Sequence, residues 1–114
     1  MKLVELSDIP QELAKELNII YGDHLYGCYL EDTIIGYAVI KANLTERVYL
    51  VIVDEYQDKG YGSKAFKELL SLINDTVECS VSLDNVKMQR IISKNNGKEV
   101  GRNGKSIHYV IERI

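Results

Sequence analysis

The residues with the most chemical promise lie in Gln57-Asp58-Lys59-Gly60-Tyr61-Gly62, directly before the helical pattern that begins at Ser63. Glycine at a helix start gives up local order, roughly 1 kcal/mol relative to alanine, so a bare backbone there calls for a reason. Close approach of an anion is one such reason. The first turn of a helix holds amide N–H groups without intrahelical partners, and the aligned peptide dipoles add about half a positive charge, a combination that binds phosphates. Lys59 and Lys64 add positive charge around the turn, and Asp58 opposes it. The pattern has neither the Gly-Lys-Ser/Thr of a nucleotide P-loop nor the third glycine and acidic partner of a dinucleotide site. Taken alone, it also fits a solvated strand-to-helix connection.

Other reactive side chains are scattered. His24 and His108 are the only imidazoles, and neither has a partner spacing that singles it out, so each reads first as a surface or satisfied core residue. Cys28 and Cys79 lack metal-ligand spacing and read as two reduced, buried thiols, with no metal site expected.

The elements that would position the glycine turn follow from periodicity. Ser7 or Asp8 is expected to cap a first helix carrying Leu13, Leu17 and Ile20 on one stripe and ending near Gly22. LYGCYLED and TIIGYAVIKAN predict a hairpin from Leu25 to about Ala42, and RVYLVIV, after Asn43 to Glu46, predicts a central strand covered on both faces. From Ser63 the period becomes 3.6, with Ala65, Phe66, Leu69, Leu70 and Ile73 on one face. Val77 to Leu83 alternates as a half-buried strand, Asp84 or Asn85 caps a helix that stops at Asn95-Asn96-Gly97, and Asn103-Gly104 closes a last hairpin. The expected order is αβββαβαββ.

Composition bounds the function. A chain of 114 residues with 46% hydrophobic content is expected to form a single domain over residues 1–114. A formal net charge of −3 argues against broad capture of nucleic acid or of an anionic membrane. Glu5 and Asp8 interrupt the apolar core that a signal peptide would need, and no apolar run approaches a membrane span, so the expected location is cytoplasmic.

In this context the hexapeptide resembles the Gln/Arg-x-x-Gly-x-Gly/Ala signature of the GNAT superfamily of acetyl-CoA-dependent N-acetyltransferases. The resemblance extends to YLVIVDEYQDKGYGSKAFKELL as a strand-loop-helix, to IIGYAVI upstream and to DNVKMQRIISKN downstream, together about residues 25 to 96. It implies an α/β fold with a mixed β-sheet flanked by helices and splayed at a central strand, holding the pantetheine arm of acetyl-CoA in the gap. By position, Leu50, Val51 and Ile52 match the strand whose backbone pairs with that arm. Asp58, Lys59, Gly60, Tyr61, Gly62 and Ser63 match the pyrophosphate turn, and Asn85 opens the late helix beside the cofactor.

The implied reaction is acetyl transfer to a primary amine by direct attack on the thioester. Family members commonly use a glutamate on the strand before the late helix and a tyrosine within that helix. Ser80 and Ile92 occupy those positions here. Glu78, two residues from Ser80 on the polar face of its strand, is the candidate base, and Tyr49 or Tyr61 the candidate donor to the leaving thiolate. The alternatives are a catalytically weak relative that senses acyl-CoA and a protein-interaction module. The short region before the first hairpin leaves the acceptor side open or completed by a second subunit, so a homodimer is a further expectation. The acceptor amine is not specified by the sequence.

Overall fold

In the computed structural model, which describes residues 1–20, 22–41 and 48–112, the β-branched and aromatic runs of the first half form one antiparallel ladder. β2 (His24–Leu30) and β3 (Thr33–Ile40) make the expected hairpin around Glu31, which takes a φ of 57°. β4 (Val48–Ile52) pairs with β3. The hairpin's expected end at Ala42 and the connection from Asn43 to Glu46 lie outside the described residues, as does the side chain of Tyr49. A Cβ on Gly36 would lie 2.3 Å from the Val51 carbonyl oxygen, so only glycine lets β3 and β4 approach at this point.

Two expectations for the N-terminal region are corrected. Lys2–Glu5 forms a strand, β1, whose Leu3 stands opposite Cys28 and Val4 opposite Gly27 of β2. Four residues carry too little alternation to announce a strand, and β1 exists because it satisfies the outer edge of β2. The first helix is also shorter than its apolar stripe suggested. α1 spans Gln11–Glu16 behind Pro10, with no side-chain cap from Ser7 or Asp8. The chain then turns through Asn18 and Gly22, with φ of 54° and 92°. Asp23 fastens this turn: its carboxylate accepts the Ile20 N–H at 3.0 Å and pairs with Lys41 Nζ at 2.8 Å, while Lys41 also donates to the Asn18 carbonyl oxygen.

The second half follows its periodicity closely. α2 (Tyr61–Ser71) buries Ala65, Phe66, Leu69 and Leu70, each large side chain contributing about 1.5–3 kcal/mol. β5 (Val77–Ser82) alternates Val77, Cys79 and Val81 inward with Glu78, Ser80 and Ser82 outward. α3 (Val86–Lys94) starts where Asn85 Oδ1 accepts the Met88 N–H at 3.2 Å. β6 (Gly97–Arg102) and β7 (Ser106–Ile111) form the last hairpin, with Asn103 Oδ1 accepting the N–H groups of Lys105 and Ser106.

The strands divide into two antiparallel sheets, β1-β2-β3-β4 and β5-β7-β6, in place of one mixed sheet. A common core joins them under α2 and α3, centred on Phe66, Leu69, Ile35, Ile92 and Ile111. The observed order, βαβββαβαββ with a short 3-10 turn at Asp54–Tyr56, adds β1 to the expected series. The α/β layering matches the expectation.

Candidate functional site

β4 and β5 are edge strands of their sheets, and among the described residues no ladder joins them. Between them opens a cleft of about 240 Å³. Val48 and Leu50 of β4 form one wall, Cys79 to Ser82 of β5 the other, and Phe66, Met88 and Ile92 of α2 and α3 line its interior with Asn85. β4 also departs from expectation. The strand is not covered on both faces: Val51 is 37% exposed and Val53 just beyond it 40%.

Backbone direction in β4 alternates. Val53 donates its N–H to the Ile35 carbonyl at 2.8 Å, so Val53 and, two residues earlier, Val51 turn their polar groups toward β3. Leu50 and Ile52 therefore turn theirs toward the cleft edge. Gln57 Nε2 donates to the Ile52 carbonyl oxygen at 2.8 Å, folding the loop back onto the end of β4. Of the three strand residues expected to pair with an extended ligand, Leu50 and Ile52 turn backbone to the cleft edge, where Gln57 already bonds the Ile52 carbonyl, and Val51 stands opposite Tyr37 of β3.

The glycine turn follows directly. Gly60 is the N-cap of α2 in the left-handed region, at φ 85° and ψ 0°, with no side-chain cap, and a Cβ there would meet nothing within 4 Å. The first intrahelical bond runs from the Lys64 N–H to the Gly60 carbonyl, which leaves the amides of Tyr61, Gly62 and Ser63 without an intrahelical acceptor. Gly62 differs: its missing Cβ faces inward, 3.3 Å from Ile91 Cδ1, so this glycine serves helix packing as well. Lys59 Nζ lies 5.9 Å from the centre of the Tyr56 ring, which in turn tilts against Tyr61. Asp58 takes a φ of 64° and pairs with Lys87 of α3 at 2.6 Å, so its charge is offset by a cation the turn itself does not carry.

The sequence matches the acetyltransferase (GNAT) family over residues 4–97. The chain belongs to this family. No curated protein matches it by sequence. The fold is that of solved acetyltransferases. Campylobacter jejuni N-acetyltransferase PseH, solved with acetyl coenzyme A, superposes at a TM-score of 0.77 with 14% identity over 99% of both chains. A Bacillus subtilis acetyltransferase in complex with CoA gives a TM-score of 0.73 with 15% identity over 99% of both. A chimera of spermidine N-acetyltransferase SpeG from Vibrio cholerae and hSSAT gives 0.70 with 16% identity over 90% of this chain and 77% of the other.

Within this GNAT domain, Ser80 and Ile92 both line the cleft. Ile92 is 1% exposed, and its side chain has no transferable proton. Glu78 lies on the outward face of β5, with Oε1 at 3.1 Å from His108 Nε2. His108 Nδ1 is 3.1 Å from Ser80 Oγ. No spacing in the sequence singles out a partner for His108. The alternation of SIHYVI could have placed it on a polar face, but its neighbours come from β5, which pairs with β7 across the sheet. His24, the other imidazole, is held at the surface by Glu5 at 2.8 Å. Cys28 and Cys79 are free and buried, and burial, followed by the nearby Glu68 carboxylate, pushes the Cys28 thiol up to about 11.

Proposed function

We propose that this GNAT domain is a cytoplasmic enzyme that transfers the acetyl group of acetyl-CoA to a primary amine by direct attack of the amine on the thioester. The observation that carries the reading is the edge of β4, where Leu50 and Ile52 turn backbone groups toward the cleft just before the capless glycine turn. An extended amide-bearing arm would pair with that edge as an added strand does. The donors of Tyr61, Gly62 and Ser63, with Lys59 and Lys64, would hold the pyrophosphate that follows, and Asn85 would border the arm at the head of α3. Bound acetyl-CoA supplies an activated acyl group and a thiolate leaving group.

The chain's own work is then to orient the amine, exclude water and accept a proton. Orientation alone is a large effect, with effective molarities of about 10⁵–10⁸ M, whereas general base assistance contributes about 10²–10⁴ in rate. Glu78 is the candidate carboxylate for the base and Tyr49 for the donor to the thiolate. The net charge of −3 favours a cationic acceptor, as does the spermidine named for one structural neighbour. With α1 reduced to six residues, a second copy of the chain could complete the acceptor side.

Calorimetric titration with acetyl-CoA, CoA and phosphopantetheine tests the site. Micromolar binding, about −8 kcal/mol, is expected for the first two and a loss of affinity for the last, which lacks the adenosine 3′-phosphate end. Absence of acetyl-CoA binding at millimolar concentration overturns the reading. A screen of primary amines for CoA release then identifies the acceptor.

A further inference from the structure

Three polar side chains share the outward face of β5 and β7. Register places Ser80 opposite His108 and Glu78 opposite Val110, one step along the same face. Ser80 Oγ is 3.1 Å from His108 Nδ1, and His108 Nε2 is 3.1 Å from Glu78 Oε1. Of the three, Ser80 lines the cleft. The chain of contacts therefore starts at a residue of the cleft wall, on the outward face of β5, and leads to a carboxylate.

Hydrogen-bond polarity orders the groups. A carboxylate only accepts, so Nε2 carries the imidazole proton and donates to Glu78. Nδ1 is left with its lone pair and accepts from the Ser80 hydroxyl. A hydroxyl bonded to a neutral imidazole that a carboxylate orients is an arrangement able to take up a proton.

We propose that Ser80, His108 and Glu78 form a proton relay that deprotonates the acceptor amine. The proposal rests on the acetyltransferase reading and deepens it, replacing Glu78 acting directly by Glu78 acting through His108. As the amine nitrogen bonds to the thioester carbonyl carbon, its N–H proton passes to Ser80 Oγ, and the Ser80 hydroxyl proton passes to His108 Nδ1. The C–S bond then breaks, the thiolate leaves with the electron pair, and the imidazolium returns the proton to it through Ser80. For the neutral amine no proton is gained or lost overall; an acceptor that arrives as the ammonium gives one further proton to solvent before attack. Ser80 touches the substrate, His108 is the acceptor behind it, and Glu78 is the positioning residue that holds the tautomer and stabilises the imidazolium. Among the described residues, the charged groups on His108's face include Glu78 from β5, Lys98 of β6 by register opposite Val110, and, by continued alternation just past β7, Glu112; α3 packs on the other face, beside Tyr109.

The test uses the full chain, acetyl-CoA and the best amine of the screen, measuring kcat/KM against pH together with acetyl-CoA affinity. His108→Gln is expected to lower kcat/KM by about 10² or more at every pH tested, with acetyl-CoA affinity unchanged. Ser80→Ala should show a comparable loss and Ser80→Thr should recover most of it. Glu78→Gln should lower kcat about tenfold or more with KM for the amine and acetyl-CoA affinity unchanged, because the imidazolium formed in the step loses its counter-charge. A His108→Gln or Ser80→Ala variant within threefold of the parent, with intact acetyl-CoA binding, overturns the relay alone. An acetyl group found on Ser80 after incubation with acetyl-CoA only would also overturn it, in favour of a covalent route. A parent chain that neither binds acetyl-CoA nor releases CoA with any amine overturns the functional reading, and the relay with it.

Discussion

Asp58 in the glycine turn and Lys87 in the first turn of α3 form an ion pair with Oδ1 and Nζ 2.6 Å apart. Both side chains are mostly exposed, so the pair adds little to stability. Its consequence is electrostatic: the one carboxylate within the expected pyrophosphate turn is matched by a cation from another element.

Replacing Asp58 by glycine should tighten acetyl-CoA binding. The φ of 64° at this position suits glycine, and removal of the carboxylate leaves Lys87 free to face the phosphates. A charge near a helix N-terminus is worth about 0.3–1 kcal/mol, so Kd should fall two- to fivefold at low salt and less at high salt. Lys87→Ala should weaken binding by a similar factor. Calorimetry at two ionic strengths checks both, and an unchanged Kd in both variants would place the phosphates elsewhere.

Gly60 separates backbone strain from charge. At φ 85° any side chain is strained, so Gly60→Ala should cost about 1–2 kcal/mol of stability even though its Cβ meets open space. Gly60→Glu should add loss of acetyl-CoA binding, since an anion then projects from the turn. Gly62→Ala needs only a small shift of the Ile91 tip, 3.3 Å away, and should keep the fold. Melting curves beside titrations tell these effects apart.

Gly36→Ala should be far more damaging than its chemistry suggests. The added methyl would sit 2.3 Å from the Val51 carbonyl oxygen and 2.9 Å from Ile52 Cδ1, so β4 itself must move. The expected loss is about 3 kcal/mol or more in urea unfolding, with weakened acetyl-CoA binding because β4 lines the cleft.

Alkaline pH should destabilise the fold through Cys28. Burial, then the Glu68 carboxylate, raises its thiol from 9.0 to about 11 in the folded chain. The folded state therefore keeps a proton that the unfolded state releases. The stabilisation is complete below pH 9 and is lost as pH rises toward 11, up to about 2.7 kcal/mol for two pKa units. Tyr26, raised by burial and then by Glu5, acts in the same direction. Urea unfolding at pH 8 and pH 10.5 should show the decline, and Cys28→Ala should flatten it.

Local signals in the sequence determined most elements of this protein. Alternation set β5, the 3.6 period set α2, Asn85 and Asn103 set a helix cap and a hairpin, and the glycine turn with its flanks was enough for the family. Each of these depends on residues a few positions apart, where backbone geometry links spacing directly to shape. Tertiary structure decided the rest. β1 is a strand because the edge of β2 needed a partner, and β4 ends its sheet because among the described residues no ladder joins it to the edge strand β5. His108 meets Ser80 across 28 residues of chain, and Lys87 reaches Asp58 from a different helix. Periodicity says which face of an element a side chain occupies, but which strand lies beside it follows from long-range packing, and the candidate relay was decided at that level.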